Sequence, residues 1–145
     1  MKKRNNLFAN IENINGLTNE EISLLFLTPL VQTAWVCGAV SPREKQVIYT
    51  AAREESIDER HQFNDIIDEW LNYQPSQLFF EGCLALINNS LEQMTVKERN
   101  LKKAKILARC NQVASSAGTK SLMDIDHHIS PQETHLLNRL REVLL

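Results

Sequence analysis

The feature that most constrains the fold of this chain is a helix-start signal that recurs along it. Each copy places Glu three residues after Ser or Thr, and the copies are Thr18 with Glu21, Ser41 with Glu44, Ser56 with Glu59, Thr95 with Glu98 and Ser130 with Glu133. In such a capping box the hydroxyl and the carboxylate bond to backbone amides that the first helical turn leaves without partners. Apolar residues follow each signal at spacings of three and four, which places them on one helix face. The sequence therefore predicts an all-α fold, a single-domain bundle of about six to seven helices.

Further helix boundaries are predicted at Ser56, Ser76 and Pro29. Ser56 and Ser76 precede apolar residues at helical spacing, so each is predicted to open a helix. Pro29 lies inside the first apolar stripe. Because proline has no N–H to donate, we expect a kink or a new helix start at this position.

Length and charge narrow the class of protein. The 145 residues suit one domain, which we place at residues 17–145, after a basic and polar N-terminal segment at residues 1–16 with room for a short helix. A net charge of −2 argues against a nucleic-acid partner. Three cysteines without CxxC spacing predict buried thiols in a reducing cytoplasm. No apolar run approaches the roughly 20 residues of a membrane span, so we expect a cytoplasmic protein with no transmembrane segment.

Enzyme signatures are missing from the sequence. It contains no GxSxG, HExxH, phosphate-loop or dinucleotide-binding glycine pattern. Cys37 follows Trp35 on an apolar helix, which favours an inert buried thiol over a nucleophile. We therefore predict that the protein is not an enzyme.

The sharpest chemical feature is a group of carboxylates and imidazoles before the last predicted helix, formed by Asp124, Asp126, His127 and His128. Oxygen and nitrogen ligands of this kind suit zinc, manganese or nickel, and His135 can add a further ligand. Against a metal site, the positive end of the helix dipole disfavours a cation. Two interpretations stay open: a site for a divalent metal ion of unspecified identity, and a solvated acidic loop.

A local repeat links two parts of the chain. Its copies are VCGAVSPREKQVI at residues 36–48 and IDHHISPQETHLL at residues 125–137. The repeat suggests two pseudo-symmetric halves and brings Glu44 into register with Glu133. These glutamates are either a pair of functional carboxylates or two capping-box residues.

Charged and aromatic residues mark candidate surfaces. The fifth predicted helix is basic, with Lys97, Arg99, Lys102, Lys103, Lys105 and Arg109. A solvated helix face explains such a run, and a surface for an anionic partner is the alternative. Aromatic residues gather at a helix junction, and they are Trp70, Tyr73, Phe79 and Phe80. If Phe80 is exposed while Phe79 is buried, this junction becomes a candidate dimer or partner surface.

Motifs in a consistent order connect the chain to a family. They are Pro29-Leu30, Ala34-Trp35, Gly38, Val40-Ser41-Pro42 and Glu44, then Ile57-Asp58, Glu69-Trp70-Leu71 and Pro75, and finally Ala114, Ala117-Gly118 and Ile129-Ser130-Pro131 with Glu133. Over roughly residues 19–145 the chain resembles the TerB-like helical proteins, which are named for tellurite resistance. The resemblance implies an all-helical domain with metal-binding acidic residues and a link to stress responses. Val36-Cys37 stand where the family has Ala-Asp, whereas Asp126 occupies the aligned position in the second half.

Two functions follow from these observations. The first is a non-catalytic TerB-like stress or tellurite-resistance protein that binds a divalent metal through residues 124–128. The alternative is a protein-interaction or scaffold module without metal, acting on an unknown protein partner or on a second copy as a homodimer.

Overall fold

The structure is a computed structural model that describes residue 8 and residues 14–36, 38–58, 60–116 and 131–144. Its helices are α1 (Asn19–Leu25), α2 (Thr28–Trp35), α3 (Pro42–Glu54), α4 (Asn64–Asn72), α5 (Gln77–Glu92), α6 (Val96–Ser116) and α7 (Pro131–Val143), and a 3₁₀ turn at Ile14–Gly16 precedes them. No strand occurs in these described ranges. The all-α prediction is thereby confirmed for this part of the chain.

Capping boxes open three of these helices, as the sequence predicts. In the box of α3, Ser41 donates its N–H to Glu44 Oε1 over 2.7 Å, and Glu44 donates its N–H to Ser41 Oγ over 3.2 Å. The same reciprocal bonds join Thr18 with Glu21 at α1 and Thr95 with Glu98 at α6. Each box satisfies two backbone amides that would otherwise cost free energy in a packed helix end.

The first apolar stripe is divided at Pro29. Helix α1 ends at Leu25, and α2 begins at Thr28 with Pro29 in its first turn. At this position proline loses no helical hydrogen bond, since the first-turn amides have no partner within the helix. The Thr28 hydroxyl donates to the Leu25 carbonyl over 2.8 Å and ties the two helices together.

The prediction that Ser56 opens a helix is wrong. Ser56 adopts a left-handed backbone conformation with φ of 71°, and α4 begins only at Asn64. Polar side chains between Ser56 and Asn64 bond to nearby backbone. Asp58 Oδ1 accepts from the Arg60 N–H, and His61 Nδ1 accepts from the Phe63 N–H. Short polar side chains make such local bonds in turns as readily as at helix starts.

The core lies around α6, which packs against α2, α3 and α7, while α5 packs against α1 and α2. Trp70 of α4 is fully buried in this core. In the N-terminal segment, Phe8 is buried and the Ile14 N–H donates to Asn89 Oδ1 of α5 over 3.0 Å. The boundary between residues 1–16 and 17–145 stays a prediction. No helix among the described residues has both the length and the apolar character that a membrane crossing requires.

Candidate functional site

The predicted metal ligands Asp124, Asp126, His127 and His128 lie outside the residues that the structure describes. Within the described ranges, no three His, Cys, Asp or Glu side chains come together in a way that can hold a metal ion. His135, the additional ligand suggested by the sequence, lies exposed on α7. Metal binding at residues 124–128 therefore stays a prediction.

The two glutamates of the repeat lie in the core. Glu44 and Glu133, near the starts of α3 and α7, are each only 2% exposed. Glu44 closes its predicted capping box and also feels the negative charge of Glu133. Glu44 therefore has the predicted capping role, while a functional pair with Glu133 stays a prediction.

The pKa of Glu44 is raised, chiefly by burial. Burial raises the pKa of the Glu44 carboxyl, the hydrogen bonds with Ser41 lower it, and the charge of Glu133 raises it again. The net pKa is above the ordinary value because water stabilises a carboxylate better than this buried site does.

A cavity of about 600 Å³ opens between the end of α2, the start of α5 and the first turns of α7. Its apolar lining consists of Trp35, Val36, Phe80, Pro131 and Leu136. Its polar lining consists of Gln32, Gln74, Gln77, Gln132, His135 and Arg139. Among the described residues, the lining contains amides, one imidazole and one guanidinium but no carboxylate, so this part of the cavity is electrostatically suited to an anionic or neutral polar ligand.

Hydrogen bonds fix the helix ends that line this cavity. The indole N–H of Trp35 donates to the Trp70 carbonyl over 2.7 Å, which fixes the ring at the end of α2. Ser76 caps α5 by accepting from the Phe79 N–H over 3.1 Å, and this places Gln77 and Phe80 in the first turn. The cavity thus rests on helix ends whose positions are set by hydrogen bonds.

The amides of the cavity have unused hydrogen-bonding capacity. Gln32 makes no hydrogen bond to the described part of the chain, and its Oε1 is buried without a donor there. Gln77 reaches Glu81 over a long 3.4 Å contact. The four lining glutamines could not be predicted as a group from the sequence. They have no regular spacing, because three different helices and one connection supply them.

Two exposed apolar side chains stand beside lining residues in the sequence. Tyr73 and Leu78 are 70% and 79% exposed, and they directly precede Gln74 and follow Gln77, respectively. Phe80 is buried and Phe79 is half-buried. A partner surface at these two residues required an exposed Phe80 and a buried Phe79, so this condition is not met. The exposed apolar residues of this junction are therefore Tyr73 and Leu78.

The basic run of α6 is not simply a solvated face. Arg109 is buried and donates to Glu54 Oε1 over 2.7 Å and to Glu55 Oε2 over 3.0 Å, and Lys105 lies 3.4 Å from Glu55. Lys102 lies over the Phe26 ring. Much of this positive charge joins α6 to the end of α3 and to the core, which leaves less of it for an anionic partner.

The two described cysteines are inert. Cys83 and Cys110 are buried, and burial raises the pKa of each thiol to about 12. A thiol of this kind is protonated at neutral pH and is a poor nucleophile. Cys37 lies outside the described residues.

Comparison with protein-family models, curated proteins and solved structures returned no match to this chain. The TerB-like assignment therefore continues to rest on the sequence motifs alone.

Proposed function

We propose that the chain is a non-catalytic TerB-like domain with two pseudo-symmetric halves, which acts in the cytoplasm in a stress or tellurite response by binding a partner protein. The observation that carries the proposal is the location of Tyr73 and Leu78. Both are large, apolar and strongly exposed, and each is next in sequence to a residue that lines a cavity with apolar walls. Large apolar side chains that are exposed to water near a concave surface are typical of protein-binding sites.

The chemistry of the described residues supports binding in preference to catalysis. The buried thiols of Cys83 and Cys110 are protonated, and Glu44 is held within its capping box. Arg109 serves an ion pair between α3 and α6. These groups have structural partners, and the cavity lining offers amides, one imidazole and one guanidinium for binding.

The test compares captured partners between two matched pairs of substitutions. Tyr73→Ser with Leu78→Ser removes the proposed surface, while Val96→Ser with Leu101→Ser removes two other exposed apolar residues at a different place on the molecule. Each immobilised protein is incubated with lysate of the source organism, and captured proteins are quantified by mass spectrometry. Burial of a Leu or Tyr side chain is worth enough free energy to change affinity about tenfold or more.

The proposal expects a specific protein that is captured at least about tenfold less by the first variant and unchanged by the second. If the partner is a second copy of the chain, sedimentation velocity shows a dimer that only Tyr73→Ser with Leu78→Ser dissociates. Equal capture by both variants, together with no change in sedimentation, contradicts the proposal.

A second candidate function is divalent-metal binding at residues 124–128, and the ligand chemistry of that segment supports it. Asp124, Asp126, His127 and His128 supply two carboxylates and two imidazoles within five consecutive positions. Oxygen and nitrogen ligands of this kind suit a divalent transition metal ion.

Thermal unfolding of the metal-stripped protein tests this candidate, with millimolar Mg²⁺, Ca²⁺, Mn²⁺, Zn²⁺ or Ni²⁺ added separately. An ion that binds only the folded state raises the unfolding midpoint. The metal function expects a rise of several degrees that is absent from Asp126→Ala with His127→Ala. No rise with any of these ions, or an equal rise in the variant, contradicts it.

A further inference from the structure

The cavity combines an apolar wall with the guanidinium of Arg139 and the imidazole of His135. Trp35, Phe80 and Leu136 supply the wall, while Arg139 and His135 project from successive turns of α7. Arg139 makes no ion pair or hydrogen bond with the described residues, in contrast to Arg109 in the core. A guanidinium at the edge of an apolar cavity is a ready partner for a carboxylate, with which it forms two parallel hydrogen bonds.

The surroundings of the cavity reinforce this preference. Pro131 and Gln132 in the lining belong to the first turn of α7, where the helix dipole places partial positive charge. The lining residue Gln77 donates to the carboxylate of Glu81, which is not itself part of the lining. The charge balance inside the cavity therefore favours an anion over a cation.

The amides point to a peptide as the source of that anion. Gln32 has a buried Oε1 without a donor in the described residues, and Gln132 makes no hydrogen bond there. A side-chain amide pairs naturally with the N–H and C=O groups of a peptide, whereas a hydrocarbon acid brings no N–H donor. Tyr73 and Leu78, which are exposed and next in sequence to the lining residues Gln74 and Gln77, offer further apolar contacts to a ligand longer than the cavity, such as a peptide.

From these observations we propose that the cavity binds a segment of the partner protein that presents a carboxylate next to an apolar side chain. The carboxylate pairs with Arg139, the apolar side chain packs on Trp35 and Phe80, and backbone amides of the segment bond to Gln32. The volume of about 600 Å³ is in the range of cavities that bury a ligand of this size. This inference rests on the proposed function, since it names the chemistry of the partner.

Three small probes test the inference on the full chain. N-acetyl-phenylalanine carries a terminal carboxylate, N-acetyl-phenylalaninamide is its neutral counterpart, and N-acetyl-aspartyl-phenylalaninamide carries only a side-chain carboxylate. Affinities are measured by two-dimensional NMR titration of the ¹⁵N-labelled protein, with dissociation constants of about 1 mM expected for ligands of this size. At least one acid is expected to bind about tenfold more tightly than the neutral amide, and the acid that binds shows whether the cavity takes a chain end or an acidic side chain.

The role of the guanidinium is tested with two arginines of the same helix. Arg139→Gln is expected to weaken the acid by about tenfold and to leave the neutral amide unchanged, since only the ion pair is lost. Arg141→Gln is the matched control, because Arg141 bonds to Asn138 and does not line the cavity. It is expected to bind all three probes as the unmodified protein does.

The outcomes separate the inference from the proposed function. Equal binding of acid and neutral amide, an acid affinity insensitive to Arg139→Gln, or no binding of any probe overturns the inference. If these results occur while partner capture still depends on Tyr73 and Leu78, the proposed function stands and only the carboxylate is rejected. If capture does not depend on them, the proposed function falls as well.

Discussion

Replacing Arg109 by methionine tests whether the ion pair between α3 and α6 stabilises the fold. Its partner Glu54 is 60% exposed at the side chain and Glu55 only 15%. An exposed pair contributes about 0–1 kcal/mol, whereas a charge-assisted hydrogen bond in a largely buried site contributes about 1.5–3 kcal/mol. Lys105 at 3.4 Å retains part of the stabilisation of Glu55. We therefore expect Arg109→Met to lower the free energy of unfolding by about 2–3 kcal/mol.

Urea unfolding at several pH values measures this loss. Burial alone would raise the pKa of Glu55, but the Arg109 hydrogen bond and the charges of Lys105, Arg109 and Lys102 outweigh it and hold that pKa below the ordinary value of 4.5. The stabilisation is therefore complete above about pH 4.5 and disappears as the pH falls through the folded-state pKa. Arg141→Met is the control, with an expected effect under about 0.5 kcal/mol. A loss under about 0.5 kcal/mol for Arg109→Met at pH 7, or a loss that persists unchanged in acid, refutes this reasoning.

Three further predictions concern protonation and capping. Because the pKa of Glu44 is raised, the wild type loses stability as the pH rises above about 4.5. Glu44→Gln removes that loss, so in urea unfolding at pH 7 it is expected to be more stable than the wild type. A variant that is less stable at pH 7 contradicts a raised pKa of Glu44. Thr95→Ala removes a capping hydroxyl and lowers the free energy of unfolding by about 1 kcal/mol in the same assay, whereas an unchanged urea midpoint contradicts a capping role. Cys83 and Cys110 stay unlabelled by a thiol reagent until the protein is unfolded, and rapid labelling of either in peptide mass mapping contradicts their burial.

Local signals explain which parts of the fold were predictable. Thr18, Ser41 and Thr95 open helices in the structure because a capping box acts within one turn of the chain. Pro29 marks a new helix start for a similarly local reason. At Ser56 the same type of signal fails, because the local bonds of Asp58 form a turn and the helix begins later.

The candidate site was largely beyond prediction because it depends on tertiary packing. The sequence is consistent with a solvated basic face that includes Arg109. Its ion pairs with Glu54 and Glu55 depend on the packing of α6 against the end of α3. The repeat placed Glu44 and Glu133 in register as either paired carboxylates or capping-box residues, and in the structure Glu44 closes a capping box within range of the charge of Glu133. The cavity was missed because Trp35, Phe80 and Arg139 have ordinary helical positions and meet only in the folded chain.

The most direct test of the central claim is an NMR titration of the two indole N–H groups with N-acetyl-phenylalanine and, separately, with N-acetyl-aspartyl-phenylalaninamide. The chain has two tryptophans, and Trp35 lines the cavity while Trp70 is fully buried. The signal of Trp35, assigned by its loss in Trp35→Phe, is predicted to shift progressively as the probe fills the cavity, and that of Trp70 to move much less. The shift is predicted to need about tenfold more probe in Arg139→Gln. If neither acid moves the Trp35 signal, or if the shift is equal in Arg139→Gln, the claim that this cavity binds a carboxylate-bearing peptide is contradicted.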